Sequence, residues 1–316
     1  MRIVSATEIH GLLDYPGLVE ALRTMFRNGC EVPPRHHHPV AVPDAAAGTL
    51  LLMPAWQPGR HLGVKIVTVF PDNAAASLPA VYGSYVLLNA TTGAPVALLD
   101  GTALTLRRTA AASALAADYL ARRDSAVHLV VGTGALAPHL AAAHAAMRPI
   151  RETRIWGRDP AKAEQVARRL EGEGLSAVPV RDLAGAAATA DVITCATLSY
   201  GPLIRGEWLR PGTHLDLVGG FRPDMREADD EAVRRATVYI DTDAALHEAG
   251  DLTQPLASGV LTLERIAGDL FALARCTSAG RQSAAEITLF KSVGTALEDL
   301  AAAELAVGRL DRNNPA

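Results

Sequence analysis

The segment VHLVVGTGALAPHLAAAHAA, residues 127–146, admits few folds. A short apolar run enters Gly132-Thr133-Gly134-Ala135-Leu136-Ala137, a G-x-G-x-x-A pattern, and an alanine-rich helical stretch follows. Gly132 permits a tight turn, Gly134 lets the backbone approach a pyrophosphate, and the small Ala137 lets helix and strand pack closely. Phosphates then meet the unpaired N–H groups at the helix N-terminus. A second strand ending near Trp156 completes a βαβ unit over residues 126–158, so the chain is expected to bind a dinucleotide there.

A carboxylate usually ends the second strand of such a unit and binds the ribose 2′-hydroxyl of NAD. Here the chain reads Ile155-Trp156-Gly157-Arg158-Asp159. Gly157 stands where the carboxylate would be, and an arginine next to it is suited to a 2′-phosphate. The expectation is NADP(H), with NAD(H) as the alternative if Asp159 instead faces the ribose.

The remaining composition excludes several classes. In 316 residues the net charge is −4, and no basic block suggests nucleic acid. The longest apolar run, 126–147, is broken by Gly132, Gly134, Pro138, His139 and His144, which argues against a membrane span. Nothing at the N-terminus resembles a secretory signal. Cys30, Cys195 and Cys276 are odd in number and far apart, and are expected to be buried thiols in a cytoplasmic protein. His36-His37-His38 point alternately to opposite faces of an extended segment, so no metal site is expected.

Around the dinucleotide unit the rhythm changes twice. Ser5 and Glu8 form a capping box for a first helix, and a second, 18–27, stops at Asn28-Gly29. Between 49 and 100 come four short β runs (TLLLMP, LGVKIVTVF, VYGSYVLLN and PVALLD) with no helix between them, which implies a mixed or antiparallel sheet. An alanine-rich helix covers 102–122. From 126 onward strands near 126–131, 152–156, 176–180, 191–195, 213–218 and 237–241 alternate with helices, the pattern of a doubly wound parallel sheet. Asp229 and Asp230 mark a helix start. A last helix is expected over 284–307, with Gly308 as its stop. The fold class is thus α/β, a central Rossmann domain beside an α+β domain with a mixed sheet.

That first domain carries cations in odd places: Lys65 inside an alternating strand, Arg35 in the stiff VPPRHHHPV segment, and Arg108 in a long apolar helix. Several cations beside a redox domain point to a carboxylate-bearing substrate. The chain also resembles the ornithine cyclodeaminase/μ-crystallin family along nearly its whole length. The resemblance rests on VPPR (32–35), LMP (52–54), GVKIVTVFPDN (63–73), LTLRRTAAASALAA (104–117), VGTGA (131–135), VGGFRPDMREADD (218–230) and GRQSAAEITLFKSVGTALED (280–299).

The resemblance implies a homodimer with a discontinuous substrate and dimerisation domain, here 1–118 and the returning helix 286–316, around a Rossmann domain at 119–285. It implies that Arg35, Lys65 and Arg108 hold the substrate, with Lys65 and Arg108 catalytic. By the same resemblance Gly132, Thr133, Gly134, Ala135, Leu136, Ala196 and Thr197 border the cofactor, Arg158 follows the pattern of NADPH-using members, and Ser292 contacts the nicotinamide carboxamide. Two positions depart from the cyclodeaminases, where an aspartate follows the Gly-Gly pair and a glutamate stands three residues before the proline of LMP. Here these are Phe221 and Leu51. Their loss removes carboxylates that a side-chain amine or proton transfer would need, and Phe221 would offer an apolar substrate wall. The implied reaction is therefore reduction of a cyclic ketimine, Δ1-pyrroline-2-carboxylate or Δ1-piperideine-2-carboxylate, to L-proline or L-pipecolate. The alternatives are ornithine cyclodeamination with bound NAD, and a non-catalytic NADP(H)-binding protein.

Overall fold

In a computed structural model the structure describes residues 1–313, and the chain separates into two compact units. The first comprises residues 1–109 and the chain from Thr295 onward; the second comprises Ala110–Gly294.

The first unit opens with β1 (Arg2–Val4), α1 (Ala6–Leu12) and α2 (Tyr15–Asn28). The capping box forms: Ser5 accepts from the Glu8 N–H, and Glu8 accepts the Ser5 N–H at 2.8 Å. Asp14 caps α2, whose buried stripe is Leu18, Val19, Leu22, Met25 and Phe26, and Gly29 ends it at φ +80°. Then come β2 (His36–Val40), β3 (Gly48–Trp56), β4 (His61–Val69), β5 (Val81–Asn89), β6 (Pro95–Asp100) and α3 (Gly101–Leu120), a helix that starts in this unit and runs into the second. The sheet order is β1-β6-β5-β4-β3-β2, with β1 and β6 parallel and all other pairs antiparallel. Alternation sends Met53, Ala55, Gly63, Lys65, Tyr85 and Leu87 into the interior. Leu50, Leu52, Val64, Ile66, Val86 and Leu88 stand on the other face, half-buried.

The second unit contains β7 (Val127–Val131), α4 (Leu136–Met147), β8 (Glu152–Trp156), α5 (Pro160–Gly172), β9 (Ala177–Pro179), α6 (Leu183–Thr189), β10 (Val192–Cys195), β11 (His214–Leu217), α7 (Asp230–Arg235), β12 (Thr237–Ile240), α8 (Ala245–Glu248), α9 (Gly250–Ala257), β13 (Ile266–Asp269), α10 (Leu270–Ala274) and β14 (Thr288–Lys291). Its eight strands are all parallel, in the order β13-β12-β14-β11-β10-β7-β8-β9. The chain winds outward from β7 through β8 to β9, then returns to β10 on the other side. The switch point between β7 and β10 is where such sheets bind ligands. The registers align Trp156, Val131, Cys195, Leu217 and Lys291 in one row. Gly157, Gly132, Ala196, Val218 and Ser292 therefore lie together just past the carboxyl ends of five strands.

Three expectations fail here. The chain at 284–307 is not one helix: Thr288–Lys291 is β14, wholly buried between β11 and β12, and the helix begins only at α11 (Ala296–Asn313), which belongs to the first unit. A four-residue strand buried on both faces has no periodicity of its own, and its pairing partners lie dozens of residues away. Nor does Gly308 stop the helix, which runs through it. One interior glycine costs only ~1 kcal/mol relative to alanine, less than the packing of Leu297, Leu300, Ala303, Ala306 and Val307 supplies. The cysteines are free, but only Cys195 is buried; Cys30 is half-buried and Cys276 is exposed in a turn at φ +58°. Asp229 does cap α7.

Candidate functional site

The second unit holds a cavity of about 420 Å³ at the switch point, lined by the Gly132-Thr133-Gly134 turn, the Trp156–Asp159 strand end, Lys162, Ala196–Ser199 and Leu203. Its floor is glycine by necessity. Gly132 sits at φ +127°, and a Cβ there would lie 2.6 Å from the Ala196 carbonyl oxygen. Ala135 precedes α4 with no side-chain cap, so the amides opening at Leu136 have no capping side chain, as an anion-binding helix start requires. These features fit a dinucleotide pyrophosphate.

At the strand-β8 side the structure bears on the ribose. A Cβ on Gly157 would approach Thr133 Cγ2 to 2.5 Å, so no carboxylate-bearing side chain fits there as the turn stands. Asp159 is engaged as the N-cap of α5, accepting from the Ala161 N–H at 3.0 Å. Arg158 is exposed in the cavity wall, and Lys162, from the first turn of α5, stands in the same wall. Lys162 was not singled out from the sequence; its signal was its place in the first turn of a helix that Asp159-Pro160 announces.

Thr197 has a partner that the sequence did not reveal. Its N–H and hydroxyl both donate to Glu227 Oε1, each at 2.7 Å. Glu227 is fully buried with Asp251 and Lys291. Lys291 donates to the Gly219 carbonyl and lies 3.4 Å from Asp251, while Asp251 accepts from the Glu227 and Ala228 amides. Burial raises the Glu227 carboxyl to about 7, with Lys291 opposing and Asp251 adding to the rise. Ser292 follows β14, 6% exposed, its N–H donating to the Leu217 carbonyl, outside the cavity lining. Phe221, just after the φ +58° residue Gly220, is also outside the lining and half exposed.

In the first unit Lys65 and Arg108 come together around two carboxylates of α11. Lys65 Nζ lies 2.7 Å from Asp299 Oδ2; the Arg108 guanidinium donates through Nε to Asp299 at 2.9 Å and through Nη1 to Glu298 at 2.5 Å. Lys65 is 3% exposed, Arg108 6%, and both carboxylates are fully buried. Two cations face two anions, so the cluster is electrically neutral, the condition for burying four charges. Desolvation lowers the Lys65 ammonium to about 8 even though Asp299 opposes it. Burial pulls the same way on Arg108, but Asp299 and Glu298 outweigh it and hold the guanidinium charged. Tyr85, paired with Lys65 across β4 and β5, is fully buried, and burial and Asp299 push its phenol up. Glu298 and Asp299 lie in the 280–299 motif, but only the packing of α11 shows that Asp299 meets Lys65 and that both meet Arg108.

Arg35 is half-buried just ahead of β2. Continuing the β2–β3 register by one residue sets it beside Met53, whose partner on β4 is Lys65. Leu51 stands on that face too, one row from Lys65, opposite Val67.

A profile of the ornithine cyclodeaminase/mu-crystallin family matches residues 1–314. The chain belongs to this family. Among the family's members, Delta(1)-pyrroline-2-carboxylate reductase of Paracoccus denitrificans is 38% identical over 301 residues, covering 95% of this chain and 94% of its own. An uncharacterized protein of Schizosaccharomyces pombe is 44% identical over 317 residues, covering 96% of each chain. The solved structure of Thermococcus litoralis Delta(1)-pyrroline-2-carboxylate reductase in complex with NADH and L-proline superposes with a TM-score of 0.91 at 32% identity, covering 99% of this chain and 98% of that one. The family assignment and the two-sheet α/β architecture thus agree with the sequence reading.

Proposed function

We propose that the protein is an NAD(P)H-dependent ketimine reductase that converts a cyclic imino acid, Δ1-pyrroline-2-carboxylate or its six-membered homologue, to L-proline or L-pipecolate. The observation that carries the choice of reaction is the pair Leu51 and Phe221. An apolar side chain one row from Lys65 and another after Gly219-Gly220 stand where the family's cyclodeaminases carry the carboxylates that serve a distal amine.

The chemistry a reduced nicotinamide would supply here, when bound, is a hydride for the C=N carbon. The chain's own residues bind and orient. Gly132–Leu136 and the α4 N-terminus hold the pyrophosphate, Ala196 and Thr197 border it, and Ser292 takes the carboxamide. Arg35 and Arg108 take the substrate carboxylate, fixing the ring for attack. Lys65 keeps a proton at the ring nitrogen, because a protonated imine is the better hydride acceptor and the product amine retains that proton. An ammonium lowered to about 8 is well matched to this exchange near neutral pH.

The preferred cofactor is NADP(H). Arg158, just past β8, and Lys162, in the first turn of α5, are two cations in one wall, and at Gly157, where the ribose-binding carboxylate would stand, a side chain would crowd the Thr133 methyl. The working unit is a homodimer in the cytoplasm. The half-buried apolar face of Leu50, Leu52, Val64, Ile66, Val86 and Leu88 supports the dimer, and three unpaired cysteines support a reducing compartment. Among the described residues no helix is long and apolar enough to cross a membrane.

Purified protein mixed with NADPH and either ketimine should lose reduced-nicotinamide absorbance in proportion to the amino acid formed. Ammonia release from ornithine, with no NADPH oxidation by either ketimine, would overturn the reading.

A further inference from the structure

Glu227 is a buried ionisable group that the proposed chemistry does not use, and its geometry gives it a task. One carboxylate oxygen, Oε1, accepts both donors of Thr197 at 2.7 Å. Its carbonyl accepts the N–H groups of Leu203 and Ile204 at 2.8 and 2.9 Å, and the neighbouring Arg226 N–H donates to the Ser199 carbonyl at 2.8 Å. Thr197, Ser199 and Leu203 are all lining residues of the dinucleotide cavity, so one wall of that cavity hangs on residues 226 and 227. The packing is close: a Cβ on Gly219 would fall 2.5 Å from Glu227 Oε1 and 2.2 Å from the Thr197 carbonyl.

The charges around Glu227 do not balance. The titratable and charged groups that face it are Lys291 on β14, Asp251 on α9 and the Cys195 thiol at the end of β10. With both carboxylates ionised, two anions share one ammonium in a fully buried site, and Glu227 Oε2 and Asp251 Oδ2 have no hydrogen-bond partner among the described residues. Desolvation and the Asp251 charge favour a proton on Glu227, whereas the two Thr197 bonds and Lys291 favour the anion. Charge-assisted bonds are about twice as strong as neutral ones, so losing the charge loosens the Thr197 tether.

We propose that Glu227 is a positioning residue for the dinucleotide: its ionised carboxylate holds Thr197 and the 197–203 wall in the binding conformation, which makes cofactor affinity rise as Glu227 loses its proton. The inference rests on the cofactor reading above. The sign follows from linkage. If the binding conformation needs the anion, bound cofactor lowers the Glu227 pKa, and affinity falls as pH falls through about 7.

The test is a fluorescence titration of NADH and of NADPH between pH 6 and pH 8.5, with wild-type protein and Glu227→Gln. The glutamine keeps the shape and the Oε1 acceptor but cannot ionise. Wild-type Kd should weaken roughly tenfold from pH 8 to pH 6, the limit for one gating proton. The variant should bind no more tightly than wild type does at the acid end, and its Kd should carry no Glu227-linked change across the range. The cofactor's own phosphate titrates with both proteins and cancels in their ratio. Parallel pH profiles for the two proteins would overturn the proposal. If Glu227→Gln does not fold, Thr197→Val takes its place by removing one of the two donors; it should weaken binding and flatten the profile, and an unchanged Kd and slope would count against Glu227. Wild-type protein that binds neither dinucleotide at any pH overturns the cofactor reading and this inference together, whereas binding without the pH difference overturns only the inference.

Discussion

Replacing Arg158 by glutamine tests the cofactor preference most directly, because the structure separates this side chain from everything else the fold needs. It is exposed, lies in the cavity wall, and is joined there by Lys162. A charged hydrogen bond to a phosphate is worth about 1.5–3 kcal/mol when dry. Exposure and screening bring that to roughly 0.5–1 kcal/mol, or about a 2–5-fold rise in the NADPH Kd. Lys162→Gln should cost less, since an ammonium on a flexible stem makes no fixed fork. The double variant should lose less than the product of the two, because both cations address one phosphate. NADH lacks that phosphate and should keep its Kd within about twofold. Raising the salt from 50 to 300 mM should shrink the gap between wild type and variant, since screening acts on exposed charges first. Kd values come from nucleotide fluorescence, and KM values from ketimine reduction. Equal losses for NADH and NADPH, or a wild-type protein that prefers NADH, would refute the reasoning.

Gly157→Asp should not by itself create an NADH enzyme: the new Cβ meets Thr133 Cγ2 at 2.5 Å, so both dinucleotides should bind more weakly until Thr133→Ala removes that methyl. Lys65 acts as an acid, so it works protonated. With its ammonium lowered to about 8, kcat should be level below that pH and fall toward tenfold per unit above it, a profile that Lys65→Met should abolish along with most of the turnover. Asp299→Asn leaves Lys65 and Arg108 facing a single carboxylate in a dry cluster, and urea unfolding should show a loss of ~3–5 kcal/mol. His128 and His214 are fully buried, and burial holds both well below the usual histidine range. Their contribution to stability is complete above about 6.5 and is lost as pH falls below it; between pH 6.5 and 5.5 the urea-derived stability of His128→Gln should fall less steeply than that of wild type, by up to ~1.4 kcal/mol per pH unit.

The dinucleotide half of this protein was legible because its information is local. Gly132, Gly134 and Ala137 must be small wherever a strand turns into a helix over a phosphate, and Gly157-Arg158 follows one strand later in the same unit. The capping box at Ser5 and Glu8 and the Gly29 stop were likewise written within four residues of chain. Lys65 and Arg108 could be named, but the sequence could not say what they face. Their partners Glu298 and Asp299 arrive from a helix some 190 residues after Arg108 and farther still from Lys65, and only the packing of α11 shows that the cations are already half-satisfied. β14 was hidden for the same reason: four residues buried on both faces carry no alternation, and their strand character exists only between β11 and β12. Glu227 carries no signal in the sequence beyond its place in the 218–230 motif; tertiary structure alone removes its water, sets it against Thr197 and Lys291, and raises its carboxyl to about 7. Short-range sterics and hydrogen bonding are properties of the chain. Desolvation and the meeting of distant charges belong to the folded molecule.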